Sequence, residues 1–232
     1  MSKKTVSRKN KSTFYIAVII ILTLAAYFSS LGNEILNWDD NIYVSDNPDI
    51  KSLTNLPLFF TKGYIGHFQP VTITVYCLIY QIGRLTPCYY HFTGVIFHII
   101  NVLLVFFLCR QLTGRQIPAL IAALIFGLHP MHVESVAWIS GLKDLVFTCF
   151  FLLSLLAYIR YFRQNKLKWY IITLVLFLFS LLSKGQAVTL PVVLLLIDYF
   201  EGRELINRKA LLEKIPFFTL SVVFGLLAVS FA

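Results

Sequence analysis

Two carboxylates stand side by side in Trp38-Asp39-Asp40-Asn41-Ile42-Tyr43, a few residues past the first long apolar run. Adjacent like charges at a low-dielectric boundary disfavour each other's ionised form, which suits one of them to take up a proton. Trp38 and Tyr43 are aromatics of the kind that favour a membrane–water interface, so the pair is expected at that boundary. Asp46 and Asp49 flank Asn47-Pro48 and read as ordinary turn residues. A second polar stretch, HPMHVESVAWISGLKD, carries His129, His132 and Glu134. Their spacing is loosely compatible with a metal, but no HExxH pattern places them on one helical face. The same stretch ends in Lys143-Asp144, where a local salt bridge with Asp144 at a helix N-terminus competes with a ligand-binding role. A third stretch, LLSKGQAVTLP, holds Lys184, the only charge between Lys168 and Asp198. A charge at midspan costs roughly 2.5–3.5 kcal/mol and less near the edge. Lys184 therefore reads either as an interfacial anchor or as a cation for an anionic lipid head group.

The elements that must position these residues are membrane spans. The 232-residue chain is 58% hydrophobic and 13% charged, with a mean hydropathy of +0.76. A soluble domain runs nearer a quarter charged. This balance describes a polytopic, all-α transmembrane bundle. Seven apolar runs are expected to span: Thr13–Leu31, His91–Cys109, Ile117–Leu128, Leu145–Tyr161, Trp169–Leu182, Ala187–Ile197 and Ile215–Phe231. Two of these are short and need flanking residues to cross. Val71–Ile82 is shorter than a comfortable span and reads as an interfacial or re-entrant helix. Residues 1–12 form a basic tail, 13–232 the membrane domain and 32–90 its large outer loop. Thr13–Leu31 reads as an uncleaved signal anchor, since no clean cleavage site follows it. His98 and Asn101 lie one turn apart on the second span, where helix–helix hydrogen bonding accounts for them.

Charge placement sets the orientation. The segments Met1–Ser12, Arg110–Arg115, Arg160–Lys168 and Glu201–Lys214 hold 5, 2, 4 and 4 Lys or Arg, 15 of the 20 in the chain. All four lie on one side if the intervening runs pair as hairpins, and the positive-inside rule makes that side cytoplasmic. Glu34, Asp39, Asp40, Asp46, Asp49, Glu134 and Asp144 then fall outside. The net charge of +9 follows from topology and calls for no nucleic acid. Cys77, Cys88, Cys109 and Cys149 show no metal or redox spacing. Three lie in apolar segments as packing residues, and Cys88 reads as an exposed thiol.

WDD after the first span, HPMHVESVAWISGLKD, and LLSKGQAVTLPVVLLLIDY together resemble bacterial multi-span proteins that carry tetratricopeptide repeats. Those are similar to the transmembrane and tetratricopeptide-repeat O-mannosyltransferases, glycosyltransferases of the C-type fold. The resemblance runs from about Phe28 to Phe200. It implies a polyprenyl-phosphate-linked sugar donor, an extracytoplasmic protein or glycan acceptor, inversion at the anomeric carbon, and an acidic pair in the first outer loop with one carboxylate as base. Asp39 and Asp40 match that pair, and His129, His132 and Glu134 match the second-loop cluster. Many relatives read Arg-Lys-Asp or Arg-Ala-Asp where this chain has Leu142-Lys143-Asp144. The further spans and repeat domain that the resemblance implies do not follow Ala232, so a piece of a longer protein is expected, with the activity of the piece alone left open.

The chemistry fits the residues independently. Carboxylates, histidines and lysines gather on one membrane face, whereas a transport path would also place ionisable groups at midspan. Inverting transfer needs a base for the acceptor hydroxyl, with Asp39 the first choice and Asp40 its orienter, or the reverse. The leaving phosphate needs electrostatic stabilisation, for which Lys184 and Lys143 are the candidates. No cofactor is implied and a divalent metal is left open. A small-solute or lipid transporter, and a non-catalytic anchor for a missing repeat domain, are the alternatives. The expected location is a bacterial inner membrane, with the N-terminus cytoplasmic.

Overall fold

A computed structural model describes residues 2–204 and 208–231; the side chains of residues 1–11, which include the basic tail, lie outside the described set. Its elements are helices in the order α1 (Ser2–Tyr27), α2 (Leu56–Phe59), α3 (Pro70–Gly83), α4 (Pro87–Thr113), α5 (Gln116–Leu128), α6 (Val133–Ala137), α7 (Leu142–Gln164), α8 (Leu167–Ser183), α9 (Leu190–Phe200) and α10 (Arg208–Phe231), with short 3-10 turns and one π turn, Asn41–Ser45, in the connections. The bundle is all-α, as its long apolar runs require: in lipid every backbone polar group must be satisfied within the helix. The short helix expected at Val71–Ile82 forms as α3, begun by Pro70 at its first turn.

The span count is lower than the seven expected. Among the described residues, four helical segments are long and apolar enough to cross a membrane: Ser12–Gly32, Pro87–Thr113, Ile139–Gln164 and Arg208–Phe231. A fifth arises if Gln116–Leu128 and Pro130–Ala137, bent by 51°, count as one broken span. The break has a local cause. The residue before a proline avoids the helical region, and His129 before Pro130 is extended at φ −68°, ψ 130°. Leu167–Ser183 and Gly185–Phe200 are shorter apolar helices. At ~1.5 Å per residue the 17 residues of α8 reach about 25 Å, less than the ~30 Å hydrocarbon layer. Lys184 at φ −160°, ψ 133° ends α8 and prevents it from running on into the next turn.

Large apolar side chains such as Ile215, Val222 and Leu226 on α10 and Phe14 and Ile21 on α1 face outward, as expected of a lipid-facing surface. Inside, polar side chains tie helix to helix. His98 on α4 meets the Gly127 carbonyl at 3.0 Å, and Asn101 Nδ2 donates to the Leu145 carbonyl of α7 at 2.9 Å. Ser180 on α8 donates to the Phe147 carbonyl at 2.9 Å, and Thr72 on α3 to the Ser183 carbonyl at 2.9 Å. These bonds hold α3, α7 and α8 in register, and so position the ends of those helices that carry the lysines.

The opposite end of α7 holds a buried charge cluster that sequence reading passed over. Lys214 Nζ donates to Asp198 Oδ2 at 2.7 Å, Tyr158 hydroxyl donates to Asp198 Oδ1, and all three residues are buried. Arg203 adds a 3.6 Å contact to Asp198 and a 2.7 Å pair with Glu213. The cluster fastens α10 to α7 and α9.

Candidate functional site

Asp39 and Asp40 take different partners. Asp40 is buried, and its carboxylate accepts from the backbone N–H of Ser140 at 2.9 Å, from the Ser140 hydroxyl, and from the N–H of Leu36 at 3.1 Å. Three donors on one carboxylate make a strong clamp between the loop after α1 and the turn before α7. That turn is tight because of Gly141: a Cβ there would lie 2.7 Å from the Ser135 carbonyl oxygen, so a glycine is needed for the close approach. Asp39 remains partly open and lies 3.8 Å from Lys143 Nζ. Lys143 sits over the rings of Tyr43 and Trp138 at 5.1 and 5.7 Å, which hold its ammonium beside Asp39 by cation–π attraction. Gln69 Nε2 donates to the Tyr43 hydroxyl at 2.6 Å, and burial pushes the Tyr43 phenol up to about 12. It therefore stays a neutral ring under the lysine at any physiological pH.

Lys184 pairs with Asp144, one turn into α7. An ammonium has three N–H donors, so one bond to Asp144 leaves two for a ligand. Lys143 and Lys184 both line a narrow cleft of about 50 Å³, together with His67 and Gln69 on one side and Leu227 and Ala228 of α10 on another. Its polar floor is cationic and its α10 wall is apolar. His67 enters from the loop between α2 and α3. Burial chiefly, with help from Lys143 and Lys184, lowers its basicity below that of an ordinary histidine, against a weaker pull from Asp39.

The second-loop residues lie elsewhere. His129 Nδ1 accepts from the Met131 N–H at 3.2 Å and caps the turn Pro130–His132. The His132 ring packs 4.6 Å from Phe126 and 5.9 Å from His98. Glu134 is exposed and lines a separate groove of about 530 Å³ with Leu36, Asn37, Trp38 and Trp138. The structure thus places Lys143 and Lys184 on one cleft, pairs them with Asp39 and Asp144, clamps Asp40 against Ser140, and sets His129, His132 and Glu134 apart. Among the described residues no group of three or more His, Cys, Asp or Glu is arranged to hold a metal ion.

The cleft sets two lysines beside an apolar helix wall. Comparison with known proteins gives the family. Residues 70–231, which include α3 and the helices bearing both lysines, match the family described as dolichyl-phosphate-mannose-protein mannosyltransferase. The chain belongs to this mannosyltransferase family. Protein O-mannosyl-transferase TMTC3 of Mus musculus is 28% identical over 187 residues, covering 75% of this chain and 20% of that protein. Protein O-mannosyl-transferase Tmtc1 of Drosophila melanogaster is 31% identical over 179 residues, 72% of this chain and 21% of that protein. Protein O-mannosyl-transferase tmtc2 of Xenopus laevis is 30% identical over 194 residues, 77% of this chain and 23% of that protein. The chain spans about a fifth to a quarter of the length of these relatives. No solved structure matches it. As a member of the mannosyltransferase family it is a multi-pass membrane protein of glycosyltransferase descent.

Sequence reading missed His67, Gln69 and Ser140. His67 and Gln69 sit in a loop whose visible signals are the turn formers Gly63 and Gly66. Ser140 looks like any serine, and only the fold brings it to Asp40 from a hundred residues away.

Proposed function

We propose that the chain carries the donor-binding and catalytic part of an inverting glycosyltransferase of the C-type architecture. It moves a sugar, mannose by analogy with the named relatives, from a polyprenyl-phosphate donor to a hydroxyl of an extracytoplasmic protein or glycan. The observation that carries this reading is the cleft itself: two lysines beside a partly open carboxylate, with an apolar helix as the remaining wall. The phosphate lies between Lys143 and Lys184, and the prenyl chain runs along α10 into the bilayer. Asp39 takes the proton of the acceptor hydroxyl as that oxygen attacks the anomeric carbon from the face opposite the phosphate. The sugar–phosphate C–O bond breaks with its electron pair on the phosphate, whose added charge the lysines stabilise. Asp40 is a positioning residue that holds the loop of Asp39 against Ser140. The groove between Trp38 and Trp138 receives the acceptor, with Glu134 on its rim.

Lys184 gives the test of donor binding. Lys184→Gln should weaken binding of a polyprenyl-phosphate sugar about tenfold or more, since a charge-assisted bond contributes ~1.5–3 kcal/mol. Lys184→Arg should retain part of the affinity, because charge persists while geometry changes. Titration of the donor against the purified variants separates the readings. Equal affinity for Lys and Gln would make Lys184 an interfacial anchor.

The proposed location is a bacterial inner membrane; within it, the charge asymmetry supports a cytoplasmic N-terminus and the cleft on the outer face. Asp46 is exposed in the outer loop. A single cysteine at Asp46→Cys, in a background lacking Cys77, Cys88, Cys109 and Cys149, should react with an impermeant maleimide in intact cells. Reaction only after the inner face is opened would invert the topology.

A further inference from the structure

His67 is delivered to the cleft by an unusual piece of backbone. Tyr64 and His67 exchange two backbone hydrogen bonds, Tyr64 N–H to the His67 carbonyl at 2.9 Å and the reverse at 3.0 Å. The two residues between them are both left-handed, Ile65 at φ 50° and Gly66 at φ 66°. This is the geometry of a type I′ turn, which glycine adopts freely and a β-branched residue such as Ile65 adopts only under strain. Strain of this kind persists where the surroundings over-determine it. Here Asp49 supplies the anchor: it accepts from Lys62 Nζ at 2.6 Å and from the Tyr64 hydroxyl at 2.9 Å. The bond from Lys62 holds the Asp49 carboxyl below the ordinary carboxylate range, so the anchor stays charged. On the far side, Phe68 stacks on Phe231 of α10 at 5.2 Å. The turn is thus pinned at both ends, and His67, itself exposed, lines the cleft together with Lys143 and Lys184.

We propose that His67 is a third ligand of the donor phosphate, one that takes up a proton as the phosphate gains charge on release of the sugar. The inference rests on the proposed transfer reaction. Before transfer the donor is a phosphodiester with one negative charge. The acceptor proton passes to Asp39, the C–O bond breaks toward the phosphate, and the product is a phosphomonoester with two charges at neutral pH. Two lysines balance the product alone, but Asp39 and Asp144 already draw on them. A neutral imidazole beside them is a reserve cation. Partial burial chiefly, and then the two ammonium groups, lowers its proton affinity below that of an ordinary histidine. A dianion raises its proton affinity and favours the imidazolium. The charged groups facing His67 are Lys143 from α7, Lys184 from the turn after α8 and Asp39 from the first outer loop, while the α10 wall contributes Phe224, Leu227 and Ala228.

The sign of the pH effect follows. A histidine that is protonated only in the bound state adds affinity below its bound-state pKa and loses that contribution as pH rises through it. The experiment measures binding of a short-chain isoprenyl monophosphate to the chain in lipid nanodiscs at pH 7 and pH 8.5, where the free phosphate stays largely dianionic. The wild-type chain should bind about fivefold more tightly at the lower pH. His67→Gln should lose most of that difference while keeping its fold and the lysine-dependent affinity. His67→Lys should bind tightly at both values, because its cation is fixed. A His67→Gln variant with the full wild-type pH dependence would overturn the role of His67. The double variant Lys143→Gln/Lys184→Gln separates the two claims. If it binds the monophosphate as well as the wild type does, the phosphate site itself is wrong and the role of His67 falls with it. If it loses binding while His67→Gln keeps the wild-type pH dependence, only the histidine is eliminated.

Discussion

Replacing Asp39 by Asn should lower turnover by ~10²–10⁴ in an active full-length version of the protein and change donor affinity little, as loss of a general base does. Asp40 should behave otherwise. Its carboxylate accepts from the Ser140 N–H, the Ser140 hydroxyl and the Leu36 N–H in a buried setting. Asp40→Ala leaves those donors unpaired, and an unsatisfied buried donor costs ~1–3 kcal/mol. The Ala variant should therefore melt earlier and lose activity through the displaced loop, with lost activity tracking lost stability. Asp39→Asn should leave the melting profile near wild type, because Asp39 is partly open and its contact with Lys143 is a loose 3.8 Å. Steady-state kinetics and thermal unfolding, measured together on both variants, check the division of labour. Two folded variants that both turn over at the wild-type rate would refute the proposed base.

The second large effect is at the other end of the bundle. Asp198→Ala removes the partner of a buried Lys214 and should destabilise the chain by roughly 3–5 kcal/mol, the cost of leaving a charge uncompensated in a low-dielectric interior. The double replacement Asp198→Leu/Lys214→Met removes both charges at similar volume. It should recover much of that loss, since a well-packed apolar pair is often as stable as a buried ion pair. Thermal unfolding of the single and double variants in detergent measures the difference. A single variant as stable as the wild type would show that the pair carries little of the attachment of α10. Because α10 also forms the apolar wall of the cleft, the single variant should bind isoprenyl phosphate more weakly although it lies far from the lysines.

The helices were legible in the sequence because a long apolar run in lipid has one economical structure. The short α3 was legible for the same reason, since its length falls below a span and Pro70 marks its start. Span number was harder to read. Hydropathy shows an apolar stretch, but the bend at His129-Pro130 and the extended Lys184 depend on backbone angles that hydropathy does not encode. Lys143, Asp144 and Lys184 stood out because charges near lipid are costly and therefore rare. The contrast between Asp39 and Asp40 was invisible, because neighbouring identical residues differ only through what meets them, and Ser140 meets Asp40 from another loop. His67 was hidden for a related reason: a loop histidine carries no periodicity, and its place in the cleft depends on a strained turn held by Asp49 and on Phe231 at the far end of the chain.

The claim on which the account rests is that the cleft between Lys143, Lys184 and α10 holds a lipid phosphate with its prenyl chain against the helix. A short-chain isoprenyl phosphate bearing a diazirine on its first isoprene unit, irradiated with the chain in nanodiscs, tests it directly. The account predicts adducts at Leu227 and Ala228 of α10 and at Leu181 of α8, the apolar lining beside the lysines, all lost on competition with unlabelled isoprenyl phosphate. Adducts confined to lipid-facing positions such as Leu226 and Val229, or to the groove of Trp38 and Trp138, and indifferent to competitor, would contradict it.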